Sequence, residues 1–109
     1  MNNAFIVAMY DKSIETVPED KPVVYKIFDA EGTLIYAGCA DSKSVVHQLK
    51  AHLPLGSHPI EGGDKILINQ FPRIQEAKHF EQMIVKYNRP KFNRTDRIHG
   101  YQTTVRMPA

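Results

Sequence analysis

The chain has 109 residues, 42% of them hydrophobic and 24% charged, with a formal net charge of +2. That length supports one domain with one modest core and is too short for two. No apolar run approaches the about 18 residues of a membrane span, and residues 4–9 lack the basic flank and cleavage site of a signal peptide.

Residues 5–10 read as a short strand, and residues 11–22, rich in Asp, Glu, Lys and Pro, as a polar connector. Residues 23–38 read as a hairpin. β-Branched and aromatic residues fill both arms, and Asp29-Ala30-Glu31-Gly32 supplies the turn, with Gly32 taking the positive φ such a loop needs. The end of one antiparallel arm lies beside the start of the other, so Tyr25 and Tyr36 are expected as neighbours at the open end. Asp41-Ser42 offers an N-cap, and residues 44–53 carry helical spacing at Val45, Val46, Leu49 and Leu53. Residues 54–63, with two prolines and three glycines, form a loop.

Residues 64–71 have a continuous apolar centre and read as an interior strand. Pro72 stands where a helix begins, its missing N–H costing nothing there. That helix runs to about Asn88, ahead of Arg89-Pro90, with Ala77, Phe80, Ile84 and Tyr87 as its apolar stripe. Residues 101–106 read as one further strand. The expected architecture is a single domain over 1–109: an N-terminal strand and connector (1–20), a core (21–93) and a basic extension (94–109). Its class is α/β, an α+β sandwich in which helices flank a small antiparallel or mixed sheet of three or more strands.

Cys39 is the only cysteine, which excludes an internal disulfide and a cysteine zinc cluster, and a reducing cytoplasm (a host's, for a phage protein) is the expected compartment. Charge is unevenly spread. Residues 1–42 carry three basic and seven acidic side chains, whereas residues 86–109 carry six basic ones (Lys86, Arg89, Lys91, Arg94, Arg97, Arg106) against Asp96 alone. Such an asymmetry suits a surface that meets phosphate, and equally a solvated tail.

Several polar residues sit off-pattern. With Leu49 at the centre of the first helix's buried face, His52 falls about 60° to one side and Gln48 about 100° to that side. His47 points to the wet face. Glu81 lies about 60° from the centre of the second stripe, where a carboxylate requires a cation, a metal or a donor beside it. Each residue has a plainer explanation: packing for the two phenols, a boundary hydrogen bond for His52, pairing with Lys78 or Lys86 for Glu81, a turn for Asn93.

In order, Val24-Tyr25, Tyr36-Ala37-Gly38, the helix ending Leu49-Lys50-Ala51-His52-Leu53, Glu76-Ala77 with Glu81, and Pro90-Lys91-Phe92-Asn93 resemble the GIY-YIG nuclease superfamily over residues 21–93. The resemblance implies a metal-dependent endonuclease hydrolysing DNA phosphodiesters, with duplex or branched DNA as partner and one Mg²⁺ or Mn²⁺ as cofactor. It assigns Tyr25 and Tyr36 to the attacking water and scissile phosphate, His52 to the family histidine and Glu81 to the metal. Gly38 would let backbone approach the site, and Asn93 would stand near it. Lys26 is a candidate cation for lowering a phenol's pKa, although adjacent strand residues face opposite ways. Arg89, Lys91 and Arg94 are candidates for contacting the DNA backbone, and a homodimer or protein partner would supply targeting.

The main departure is Gln48, which stands where the family carries an arginine. A neutral amide cannot replace a permanently charged planar fork on the phosphate, and loss of one such group typically costs about a hundredfold or more in rate. Arg73, Arg89 or Arg94 could reach the phosphate in its stead. The alternative reading is therefore the same fold with weak or absent catalysis, serving as a nucleic-acid-binding or protein-interaction module. A third is an unrelated α/β domain.

Overall fold

The computed structural model describes residues 4–93 of the chain. Its strands are β1 (Ala4–Ala8), β2 (Val23–Asp29), β3 (Leu34–Ala40) and β4 (Gly63–Gln70), and its helices α1 (Asp11–Ile14), α2 (Val45–Lys50) and α3 (Ile74–Asn88). The strands form one sheet in the order β1-β4-β2-β3, with every pairing antiparallel. This is the expected α+β arrangement, and the sheet is antiparallel rather than mixed. The strand expected over 101–106 lies outside the described residues, as does Arg94.

β4 is interior because it can be. Ile66 and Ile68 are fully buried, and each contributes about 1.5–3 kcal/mol of apolar burial. The β2–β3 turn closes as its residues dictate: Gly32 takes φ 87°, and the Asp29 carboxylate accepts from the backbone N–H groups of Glu31 and Thr33. The two hairpin arms are not evenly matched. Ile27 pairs with Tyr36 but Phe28 pairs with Leu34, so Ile35 is an extra residue in β3. Such a bulge turns two successive side chains to one face, which is why Ile35 and Tyr36 belong to the same cluster.

The sheet separates two apolar clusters. On one face Val23, Tyr25, Ile27 and Tyr36 pack with Ile14, Val45 and Leu49 of the short helices. On the other, Val24 and Ala37 pack with Ala77, Ile84 and Val85 of α3, and with Phe71.

Three elements differ from expectation. The polar connector contains α1, because Ile14 and Val17, one turn apart, are both buried. The first helix is shorter than 44–53: after Lys50 the chain tightens, and the N–H groups of His52 and Leu53 bond three residues back, to Leu49 and Lys50. Its start is capped from afar, since Ser44 makes no side-chain cap and Glu19 accepts the Val46 N–H at 2.9 Å. In α3 the buried stripe is Ala77, Ile84 and Val85, with Phe80 and Tyr87 38% and 71% exposed. The helix lies mainly over β3 and β2, so the face toward the sheet is the one that also carries Glu81, three and four residues from Ile84, Val85 and Ala77.

Candidate active site

Alternation along β2 and β3 sends Tyr25, Tyr36 and Gly38 to the face covered by α2. The Tyr25 and Tyr36 rings lie 6.2 Å apart between centroids. His52 closes the group, its ring 5.5 Å from Tyr25 and 4.9 Å from Tyr36. The tightened turn after α2 explains its position. Three residues at about 120° each bring His52 under Leu49, and the imidazole is only 3% exposed. Gln48 stays on the helix and is exposed, so the turn after α2 contributes His52 to the cluster and the helix does not contribute Gln48.

The hydrogen bonds fix one ring proton of this histidine. Its Nδ1 lies 2.8 Å from the His58 carbonyl, which can only accept, so Nδ1 carries the proton. In the neutral ring Nε2 is then an acceptor, and the Tyr25 hydroxyl 2.8 Å away donates to it. The result is a buried relay from phenol to imidazole to backbone carbonyl. Gly38 is part of it. A Cβ there would lie 2.6 Å from the Tyr25 hydroxyl oxygen, so the phenol rests on bare backbone.

The loop behind His52 is equally constrained. The His58 N–H donates to Ala51, and Ile60 donates to His52; a Cβ on Gly56 would collide with the Ala51 carbonyl. This closure sets the His58 ring 5.1 Å from His52 and 5.6 Å edge-on to Tyr36. His58 has no motif spacing in the sequence and is brought to the cluster only by the loop.

Glu81 reaches the sheet from the other side. It is half-buried on α3, on the face shared with Val24, Ala37 and Cys39, and its charge contributes to the Cys39 environment. Burial first, and then the Glu81 charge, raise the Cys39 thiol above its ordinary value; Lys78 acts in the opposite sense. α3, the helix that carries Glu81, thus packs on the face of the sheet opposite the phenols. Among the described residues no group of three or more His, Cys, Asp and Glu side chains is arranged to hold a metal ion.

Asn93 has a defined partner. Its amide accepts from the Ala37 N–H and donates to the Ala37 carbonyl, each at 2.8 Å. It is 7% exposed, and Phe92 beside it packs against the tyrosine cluster. The chain therefore leaves α3 on one face and rounds the edge of β3 toward the other. Lys26 follows Tyr25 and pairs with Ala37 and Leu67, on the face away from the phenols. Arg89, in a left-handed conformation at the end of α3 with φ 47°, and Lys91 are exposed. No helix among the described residues is long and apolar enough to cross a membrane.

Comparison with known proteins assigns no family: no family model, curated protein or solved structure matches the chain.

Proposed function

We propose that the chain is a small endonuclease of the GIY-YIG type, hydrolysing phosphodiester bonds of DNA. The observation that carries this reading is the Tyr25–His52–His58 carbonyl relay beneath Tyr36. Hydrolysis requires a water to lose its proton as it attacks phosphorus and the P–O bond to the leaving strand breaks. A phenol at its ordinary pKa of about 10 is a poor base. As the water's proton passes to the Tyr25 oxygen, the phenol's own proton passes to Nε2 of the neutral imidazole, and the His58 carbonyl continues to hold Nδ1–H on the resulting imidazolium. Tyr36, packed on His52 and 9% exposed against 2% for Tyr25, is the more accessible phenol and the one proposed to contact the phosphate.

Glu81 fits a hard cation as its single protein ligand: an oxygen donor, half-buried, leaving the other positions to waters and phosphate oxygens. A Mg²⁺ or Mn²⁺ ion held there would supply charge neutralisation on the phosphoryl oxygens. Arg89 and Lys91, exposed just beyond α3, with Arg94 after them, are the cations proposed for the DNA backbone. The proposed setting is a reducing cytoplasm, with duplex or branched DNA as substrate and a second copy or another protein for targeting.

A second reading, the same fold as a binding module with little hydrolysis, is favoured by Gln48, neutral and exposed where the resemblance implies an arginine. Nicking of supercoiled plasmid with Mg²⁺ or Mn²⁺ separates the two. The enzyme reading expects cleavage that Glu81→Ala and His52→Ala abolish. Absence of cleavage, or an alanine variant at 81 that cuts as well as the parent, rejects it. Salt-sensitive DNA binding without cleavage supports the module.

A further inference from the structure

Four rings meet under the hairpin, and they differ sharply in access. Tyr25, His52 and Tyr36 are 2%, 3% and 9% exposed, whereas the His58 imidazole is half-buried. A group arriving from solvent therefore meets His58 before it meets the relay. The ring is held at the edge of Tyr36 and beside His52 by a loop whose backbone is bonded to the end of α2. Its own carbonyl serves as the acceptor for His52 Nδ1. Backbone and side chain of one residue thus face different tasks: the carbonyl orients the buried histidine, and the ring is the more exposed member of the cluster.

Gln48, the α2 residue at the place where the resemblance implies an arginine, is neutral and exposed. An imidazole donates through a ring N–H in either protonation state and gains charge when protonated, which suits a phosphate oxygen. We infer that His58 is a substrate-contacting residue that hydrogen-bonds a backbone phosphate of DNA at the mouth of the Tyr25–Tyr36–His52 cluster. The inference rests on the reading of DNA as the substrate and adds to it the residue that takes up the contact Gln48 does not make. Among the described residues, Tyr36 from β3 and His52 from the turn after α2 lie beside the ring, with Tyr25 of β2 behind His52.

The test uses the full 109-residue chain and a short duplex oligonucleotide as probe. His58→Gln removes the imidazole but keeps the carbonyl that orients His52, so the fold is retained. It should weaken binding by about tenfold or more, the loss set by one hydrogen bond to a charged acceptor, and lower nicking in parallel. His58→Lys, which restores a donor and a charge, should recover binding. Independently of any variant, ¹⁵N spectra of the parent's imidazoles should show the His58 ring resonances moving on DNA addition while those of His47 and His79 stay. If His58→Gln binds DNA like the parent, or the His58 resonances do not move, the inference is overturned. Nicking that survives His58→Gln unchanged would leave the nuclease reading standing and remove His58 from it. Binding that depends on His58 in a protein that never nicks would do the reverse.

Discussion

Asn93 and Ala37, 56 positions apart in the chain, exchange two hydrogen bonds of 2.8 Å, amide to peptide, on the outer edge of β3. The side chain reproduces what a neighbouring strand would offer, and it ties the segment after α3 to the strand that carries Tyr36 and Gly38. Replacing Asn93 by Ala leaves a buried peptide group without these partners, a cost of about 1–3 kcal/mol. Urea denaturation should show that loss, and Asn93→Asp, which keeps an acceptor and loses the donor, should also destabilise. A variant within 0.5 kcal/mol of the parent, about the scatter of neutral surface changes, would deny the bond this weight.

Tyr25 and Gly38 are coupled by contact. A methyl at 38 would sit 2.6 Å from the phenol oxygen and 2.7 Å from the carbon bearing it. Gly38→Ala is therefore expected to destabilise by about 1–3 kcal/mol through overpacking. The penalty should shrink when Tyr25 is also made Ala, and a double-mutant cycle reads the difference. Strict additivity would mean the contact is not what excludes a side chain at 38.

Gln48 and His52 differ in burial although they lie four residues apart. Gln48→Ala should change thermal stability by no more than about 0.5 kcal/mol and leave nicking within twofold. His52→Ala removes both the Tyr25 acceptor and the donor to the His58 carbonyl and should cost several times more. Equal sensitivity at both positions would contradict the tightened turn.

Cys39 reports on Glu81. Its thiol is held above the ordinary range by burial and then by the Glu81 charge, so the thiolate that alkylating reagents need forms at higher pH than in a free cysteine. Iodoacetamide should label Cys39 slowly at pH 8. Glu81→Gln removes a negative charge, lowers the thiol pKa toward its usual value and should speed labelling. An unchanged rate would separate the carboxylate from the thiol. The sign for stability is the same: a raised thiol pKa favours folding while the group is protonated, and this contribution is lost as the pH rises through the folded-state value.

Glu19 caps α2 from the connector. Glu19→Ala should cost about 1 kcal/mol, the usual value of a lost N-cap acceptor, and differential scanning calorimetry would record it. No loss would assign the α2 N-terminus to its own turn residues.

Period-two alternation and turn chemistry are local, and they made the hairpin, the interior strand and the nearness of Tyr25 to Tyr36 legible from the residues alone. The turn residues Asp29 and Gly32 act within a few positions of themselves, which is why they could be read without coordinates. The helices were less legible. A uniform 100° step put His52 and Gln48 on one flank, whereas the three-residue hydrogen bonds after Lys50 bury one and leave the other exposed. The stripe on α3 was misjudged because Phe80 and Tyr87 are large and apolar. What a helix buries depends on which strands lie beneath it.

What the sequence alone determined is therefore the strands β1 to β4, the turn between β2 and β3, and the list of polar residues that stand out from their patterns. Only the tertiary structure decided which of them meet. The sheet sets Tyr25 and Tyr36 on the face under α2 and the helix of Glu81 on the other, a loop carries His58 to the phenols, and a remote amide finishes the edge of β3. Local pattern specifies the conformation of a segment. Face, layer and loop closure follow from how segments pack, and the residues of a cluster meet only once that packing is in place.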